Sequence, residues 1–558
     1  MKSRKWKRNR RGAMNKGLII VAIGLLINQF AAAQDDSRTS SLNKDLVITK
    51  ESKIELPEVN RNFEKITYDM AQAEISQQEY EYKDVSAQVA KLDMKVKIRT
   101  LNPDALPKLY GNYVKAGFGN YVTPYLEGYF NSKRNDQYLY GLHLKHLSSA
   151  KGPVDFARSS INNVDLYGKY FLEGVAVGAN ASYQRQRFNY YGINQNLENV
   201  NEDTLKLLYN TINAGLTFAS TNTQSVLQYQ AGFQYYNFGN KEQKENEAVI
   251  NLGTQYELDK TKNIKVSGLY SYSNRKTAEA YSRNFFQLSP TVELKNDDYT
   301  IEGGLNFAYT SDTLLSSKVH LYPVVKADYY LIPNELTVYA GIGGEMQKNV
   351  LRTFAAQNPW LLESVALSHT NKTFEILAGI KGNTLSKLTY KAQLAFQTYK
   401  NLFFYVNDIT DTSGFTIIYD TGNSNVLNFA AGMTYEVTGK IRLGFEGNYY
   451  SYGLSNVAEP WHRPNLDLSI LSAYNIYKKI YFNVDIFYLS GLKGQNPLTG
   501  ETEKLSSIFD LNLKLDYKFS EPFTAFIQVN NVLGQKYQRY LYYPVKGINV
   551  LAGITLSF

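Results

Sequence analysis

From about Leu109 to the last residue, apolar and polar side chains alternate with a period of two. In "FDLNLKLDYKF", Phe509, Leu511, Leu513, Leu515, Tyr517 and Phe519 share one face, opposite Asp510, Asn512, Lys514, Asp516 and Lys518. In "IRLGFEGNY", Ile441, Leu443, Phe445 and Tyr449 oppose Arg442, Glu446 and Asn448. This spacing predicts β-strands. Charges at every second position forbid burial of both faces, because an unpaired interior charge is costly. One face of each strand therefore meets water. The closing "VLAGITLSF" keeps the pattern to its end, with Val550, Ala552, Ile554, Leu556 and Phe558 on one face and no polar tail behind them. A soluble domain ordinarily finishes in a frayed polar segment. No convincing amphipathic helix interrupts the strands.

The connections sort by length. Short polar turns are predicted at 131–136, 172–174, 220–225, 258–263, 295–298, 332–335, 385–388, 438–440, 477–479 and 520–523. Mostly longer segments lie between them, such as Asn194–Asp203, Asn349–Lys372 and Gly491–Ser506, and the loop around Trp360 reads as the longest. Ten short turns imply eleven hairpins, hence about 22 strands with both ends at the short-turn rim. A strand needs roughly 9–11 residues to cross a bilayer, and residues 109–558 supply that with ample loop. The expected fold is all-β: a transmembrane antiparallel β-barrel of about 22 strands, whose apolar face meets outer-membrane lipids. Closure pairs the last strand with the first, which explains an ending on a bare aromatic ring.

The N-terminus sets the compartment. Basic residues run from Lys2 to Lys16, an apolar stretch covers Leu18–Ile27, and Ala31, Ala32 and Ala33 precede Gln34. That order is a secretory signal peptide, 1–33, too short in its apolar part to span a membrane. Residues 1–33 carry eight Lys and Arg and no acid, so the formal charge of +9 falls to about +1 once they are removed. The basicity is thus no argument for nucleic acid. Cysteine is absent, which excludes disulfides and thiolate sites. Residues 34–108 read as a short, extended periplasmic tail or partial plug, punctuated by proline in "ELPEVNRNF" and "TLNPDALPKL".

The last forty residues contain "NNVLGQKY" from Asn530 to Tyr537, then Tyr542, Tyr543, Pro544 and Gly547, then the strand ending in Phe558. This stretch resembles the closing hairpin of TonB-dependent outer-membrane receptors, and the barrel is similar in style to those of Bacteroidota. The resemblance implies an outer-membrane barrel of Gram-negative cells acting in transport or in an envelope complex. It implies a strand count near 22, and periplasmic placement of the tail and C-terminus. The alternating residues Val550–Phe558 would be the signal read by the barrel-assembly machinery. One departure is large: the family carries a plug of well over a hundred residues, whereas 34–108 offers 75. Barrels this wide are found plugged, so the tail or a separate protein is expected to fill the lumen. The alternative is a structural scaffold whose lumen holds a partner and passes no solute. Within "KDLVITKE", Asp45, Leu46, Val47, Ile48 and Thr49 are similar to the TonB box, which pairs by adding an extended segment to a partner's sheet edge. The bland reading of the same five residues is a strand-forming patch in a linker, or a segment that docks inside the barrel.

No catalytic residues, cofactor or metal site are assigned. His143 and His146 are three apart in a strand and point to opposite faces. Asp510, Lys514, Asp516 and Lys518 read as an interior charge ladder. In the loops, Trp360 and the trio Trp461, His462 and Arg463 are candidate contacts for a ligand or a surface lipoprotein, with self-packing of the loops as the competing explanation.

Overall fold

The computed structural model describes residues 110–558, apart from 134, 193–199, 223, 313–317, 385–386 and 438–439. The signal peptide, the tail and the TonB-box-like residues 45–49 lie outside the described residues. Twenty-two strands form one antiparallel sheet, each hydrogen-bonded to the next in chain order. The first, Tyr113–Gly119, pairs with the last, Asn549–Ser557, in the register Val114 to Leu556, Ala116 to Ile554 and Phe118 to Ala552. Asn112 and Phe558 exchange backbone bonds of 3.2 and 2.9 Å beyond that pairing. The barrel is closed. Closure leaves the 22-strand sheet without an edge strand.

All ten short turns fall where the pattern places them, at one rim, with both Asn112 and Phe558. The opposite rim carries the long connections. One ordering differs: the 401–423 connection exceeds 348–369 by one residue. It folds into a hairpin of its own, Leu402–Asn407 with Phe415–Asp420. A short helix, Leu351–Gln357, also departs from the helix-free expectation. Its signal was present in the apolar spacing Leu351, Phe354 and Ala355, all three of which are buried.

Side chains sort across the wall as the alternation requires. On the strand Lys318–Ile332, Val319, Leu321, Val325, Tyr329 and Leu331 point outward and are exposed, while Tyr322 between them is buried. The outward set on Ile508–Lys518 continues through Phe509, Leu515 and Tyr517, with Asn512 buried inside. On that inner face Lys514 meets Asp516 at 3.5 Å, and Asp510 accepts the Tyr537 hydroxyl at 2.6 Å. His143 points inward between Asp165 at 2.7 Å and Glu127 at 3.1 Å, whereas His146 joins Asn162 at 2.7 Å. Among the described residues, no group of three or more His, Asp or Glu is placed to hold a metal ion.

Candidate functional site

The long-loop mouth is where chemistry gathers, and the wall beneath it explains why. Near that rim the inner faces of four adjacent strands present buried charges: Glu245 and Glu247, Arg275, Arg283, and Asp312 just past a strand end. Buried charges persist only when paired or hydrogen-bonded. Here the partners come from the 348–369 loop, which is drawn inward onto them. Glu245 accepts the Leu351 amide at 2.7 Å, so a carboxyl oxygen sits at the start of the short helix. Glu247 takes Lys348, Arg352 at 3.4 Å and the Ser271 hydroxyl at 2.8 Å. Arg275 donates to the Val365 carbonyl, to the Glu363 carbonyl at 2.7 Å and to Gln243 at 2.8 Å. Arg283 pairs with Asp312 at 3.2 Å and donates to the Asn349 carbonyl at 2.9 Å. Asp312 also accepts from the Ser368 hydroxyl and the His369 amide, at 2.9 and 2.8 Å. Burial and the adjacent Arg283 guanidinium hold His369 well below the ordinary histidine pKa, so its ring is neutral and accepts the Asn349 amide at 3.0 Å.

Over this latch lies an aromatic core built from loops that start far apart on the circumference. The Trp360 ring stacks on Tyr543 at 3.8 Å and meets Tyr191, Tyr540 and Phe188 edge-on. Its indole N–H donates to the Asn189 carbonyl at 3.0 Å. Hydroxyls complete the set: Tyr190 to the Leu361 carbonyl at 2.9 Å, Tyr209 to Pro359 at 3.0 Å, Tyr540 to Gln357 at 2.8 Å. Tyr191 donates to Pro544 at 3.2 Å and Tyr543 to Ser413. Burial raises the phenol pKa of both Tyr191 and Tyr543, so both hydroxyls stay protonated and able to donate. Phe354, Leu361, Val365, Tyr405 and Phe415 fill the remaining space. Loops from four separate places on the wall thus share one core, and a shared core requires them to cross the opening. The mouth is spanned by a lid.

All four loop candidates lie in this lid. Trp360 is its centre. Trp461 is buried against Leu402, Phe404, Val406 and Val426 in a neighbouring cluster. Arg463 donates to the Phe403 carbonyl at 2.9 Å and lies over its ring. His462, fully enclosed, donates from Nδ1 to the Tyr405 carbonyl at 2.9 Å and accepts the Leu541 amide on Nε2 at 3.2 Å. Burial, with Arg539 nearby, lowers its pKa to about 4. The tyrosine pair in "FNYYG", and the charges closing the strands near Glu245, Arg275 and Arg283, belong to the site although no motif marks them, and Tyr543 of "YLYYP", quoted above only for the family resemblance, joins them. Their signal was aromatic density in supposedly solvated loops.

No family model matches this chain, and no curated protein does. Solved structures match its fold. The FrpB iron transporter from Neisseria meningitidis is 11% identical, with a TM-score of 0.64 over 81% of this chain and 83% of that one. The ferric-catecholate import receptor Fiu from E. coli K12, in its closed form, is 11% identical with a TM-score of 0.63 over 81% and 82%. The siderophore receptor PirA from Acinetobacter baumannii is 13% identical with a TM-score of 0.60, covering 80% of each chain. At such identities the likeness is one of architecture: this chain has the barrel fold of those receptors.

Proposed function

We propose that this protein is an outer-membrane transport barrel resembling TonB-dependent receptors, with a lid of its own loops in place of an open mouth. The observation that carries the reading is the lid set on a closed 22-strand wall, because a wide barrel needs regulated closure only if something passes through it. The fold likeness to import receptors and the outward apolar belt on the strands support it. In this reading the belt contacts outer-membrane lipid, the short-turn rim with both barrel ends faces the periplasm, and the lid faces outward. Residues 1–33 are the signal peptide of the exported chain. Residues 34–108 form a periplasmic tail, too short for a full plug, that reaches an energising partner through residues 45–49. Bacteroidota-type kinship belongs to the same proposal.

The test is planar-bilayer conductance of the mature chain, with and without residues 34–108, each also carrying Trp360→Ala. Removing that indole deletes the ring stack and the bond to Asn189, at a cost of about 3–5 kcal/mol to the lid. The intact chain is expected to be nearly silent, and large steps are expected when tail and lid are both disabled. Silence in all four proteins would replace transport with the scaffold reading.

A further inference from the structure

On one side of the barrel the outward face changes character near the long-loop rim. Across seven consecutive strands, from Ser159–Leu172 to Ala280–Lys295, the outward positions carry no Asp or Glu. Midway along them the outward residues are apolar and exposed, as with Leu216, Phe233, Ile250 and Leu252. Toward the long loops this belt ends in tyrosines whose hydroxyls reach a row of amides. Tyr183 donates to Asn210 at 3.0 Å, Tyr235 to Asn246 at 2.9 Å and Tyr270 to Asn284 at 3.0 Å. Rings with one wet end settle at a membrane's edge, so these tyrosines mark where hydrocarbon gives way to headgroups. At that edge the register sets a single row that contains three cations. Arg185 lies opposite Asn210, Asn210 opposite Gly239, Gly239 opposite Lys244 and Lys244 opposite Lys276.

Two observations separate this row from an ordinary solvated rim. Lys244 and Lys276 stand directly opposite one another, an arrangement that destabilises a sheet when the charges are alike, and the wall offers no acid to relieve it. Among the described residues Arg185, Lys244 and Lys276 are exposed and form no ion pair. The nearby loop acids are not bound to them either. Glu279 takes the Tyr281 hydroxyl at 2.9 Å, Glu202 takes Arg158 at 3.2 Å and Arg187 at 3.1 Å, and Glu242 is paired with none of the three. The second observation is that the row continues the apolar belt on the same strands. Tyr272 and Lys276 are separated by about 13 Å of strand at roughly 3.3 Å per residue, and a lysine stem closes part of that distance by lying along the wall. Charge and lipid-facing surface meet there, which is the complement of a molecule that joins an anionic head to acyl chains. A soluble anion would use the cations and leave the belt untouched.

We propose that this row binds the phosphate of an outer-leaflet lipid, with the acyl chains along the belt and the rest of the headgroup on the amides. Phosphate oxygens take charge-assisted bonds from Lys and Arg, and the amides both donate and accept. The inference rests on the membrane placement proposed above and not on transport. Native mass spectrometry of the mature chain in neutral detergent tests it, by titration with diphosphoryl lipid A, with its dephosphorylated form and with inorganic phosphate. Saturable binding of lipid A is expected, undisturbed by millimolar phosphate. It should be at least tenfold weaker for the dephosphorylated form and in Lys244→Gln combined with Lys276→Gln. Lys260→Gln with Lys262→Gln, at the opposite rim, should bind as the parent chain does. Heat-modifiable migration establishes that each variant is folded. Melting adds a change of sign: without lipid, Lys276→Gln should raise the Tm by relieving the opposed pair, and with lipid A it should lower it. Equal binding of the two lipids, unchanged affinity in the folded double variant, full displacement by phosphate, or a melting order that lipid A leaves unchanged would overturn the assignment. A mature chain that stays monomeric and folded without detergent would instead remove the membrane placement, and the lipid site with it.

Discussion

His462 joins three loops through one ring, and its two hydrogen bonds dictate its charge state. Nε2 must be unprotonated to accept the Leu541 amide, while Nδ1–H serves the Tyr405 carbonyl. With the lid closed the pKa is about 4, against about 6.5 for a solvated histidine. Between those values the opened loops bind more protons than the closed lid, so closure is favoured fully above about pH 6.5. That contribution, roughly 3 kcal/mol, is lost as the pH falls toward 4. Hydrogen exchange of residues 401–423 and 531–548, corrected for the intrinsic rate, should accelerate as the pH is lowered from 7.5 to 4.5. His462→Phe keeps the ring contacts with Phe415 and Tyr540. It strands the Leu541 amide and the Tyr405 carbonyl, costing about 1–3 kcal/mol. That variant should exchange faster at neutral pH and lose the acid response. An acid response that survives in it would assign the effect to another group. In the sequence, "EPWHRPN" reads as a loop that orders itself or contacts a ligand, and nothing local discloses which loops nearly eighty residues away enclose it.

At the level of elements, what the sequence discloses divides along the line between local and long-range physics. Turns and strands are local: period-two alternation and clusters of Gly, Asn, Lys and Pro mark them, and all ten short connections are placed correctly. The lid is long-range. Its contacts join Tyr190 to Leu361 and Tyr543 to Ser413, pairs separated by more than a hundred residues, and no periodicity records them. The seam is an intermediate case, because the terminal alternation announces a pairing partner without naming its register. That register places Gly117 opposite Gly553, and a methyl added to Gly553 would lie 2.0 Å from the Ala116 carbonyl oxygen. Backbone cannot retreat from such a contact without breaking the seam ladder. Gly553→Leu is therefore expected to prevent closure, abolishing heat-modifiable migration on cold gels, whereas Ile554→Leu on the outward face should leave it intact. Normal migration of Gly553→Leu would mean that the first and last strands pair differently.

For the molecule as a whole, closure and energy supply are separate questions. The lid rests on a latch of buried charges and an aromatic core, and in the proposed transport reading these contacts give way before a solute passes the mouth. Breaking a buried pair such as Arg283 with Asp312 from one side costs about 3–5 kcal/mol, so spontaneous opening is rare and a transporter of this form requires work from outside the barrel. Residues 45–49 are the proposed point where that work enters. The β-branched side chains of Val47, Ile48 and Thr49 suit addition to a sheet edge, in which backbone amides supply the affinity and side chains matter little. Most side-chain substitutions in Asp45–Thr49 should accordingly be tolerated. Proline is the exception, because it removes the amide and fixes φ. Val47→Pro with Ile48→Pro should abolish capture of the mature chain by the C-terminal domain of TonB, and Val47→Ala with Ile48→Ala should reduce it only severalfold. Capture unaffected by the prolines would separate this barrel from TonB, and equal loss with the alanines would show that side chains, not the backbone, are read.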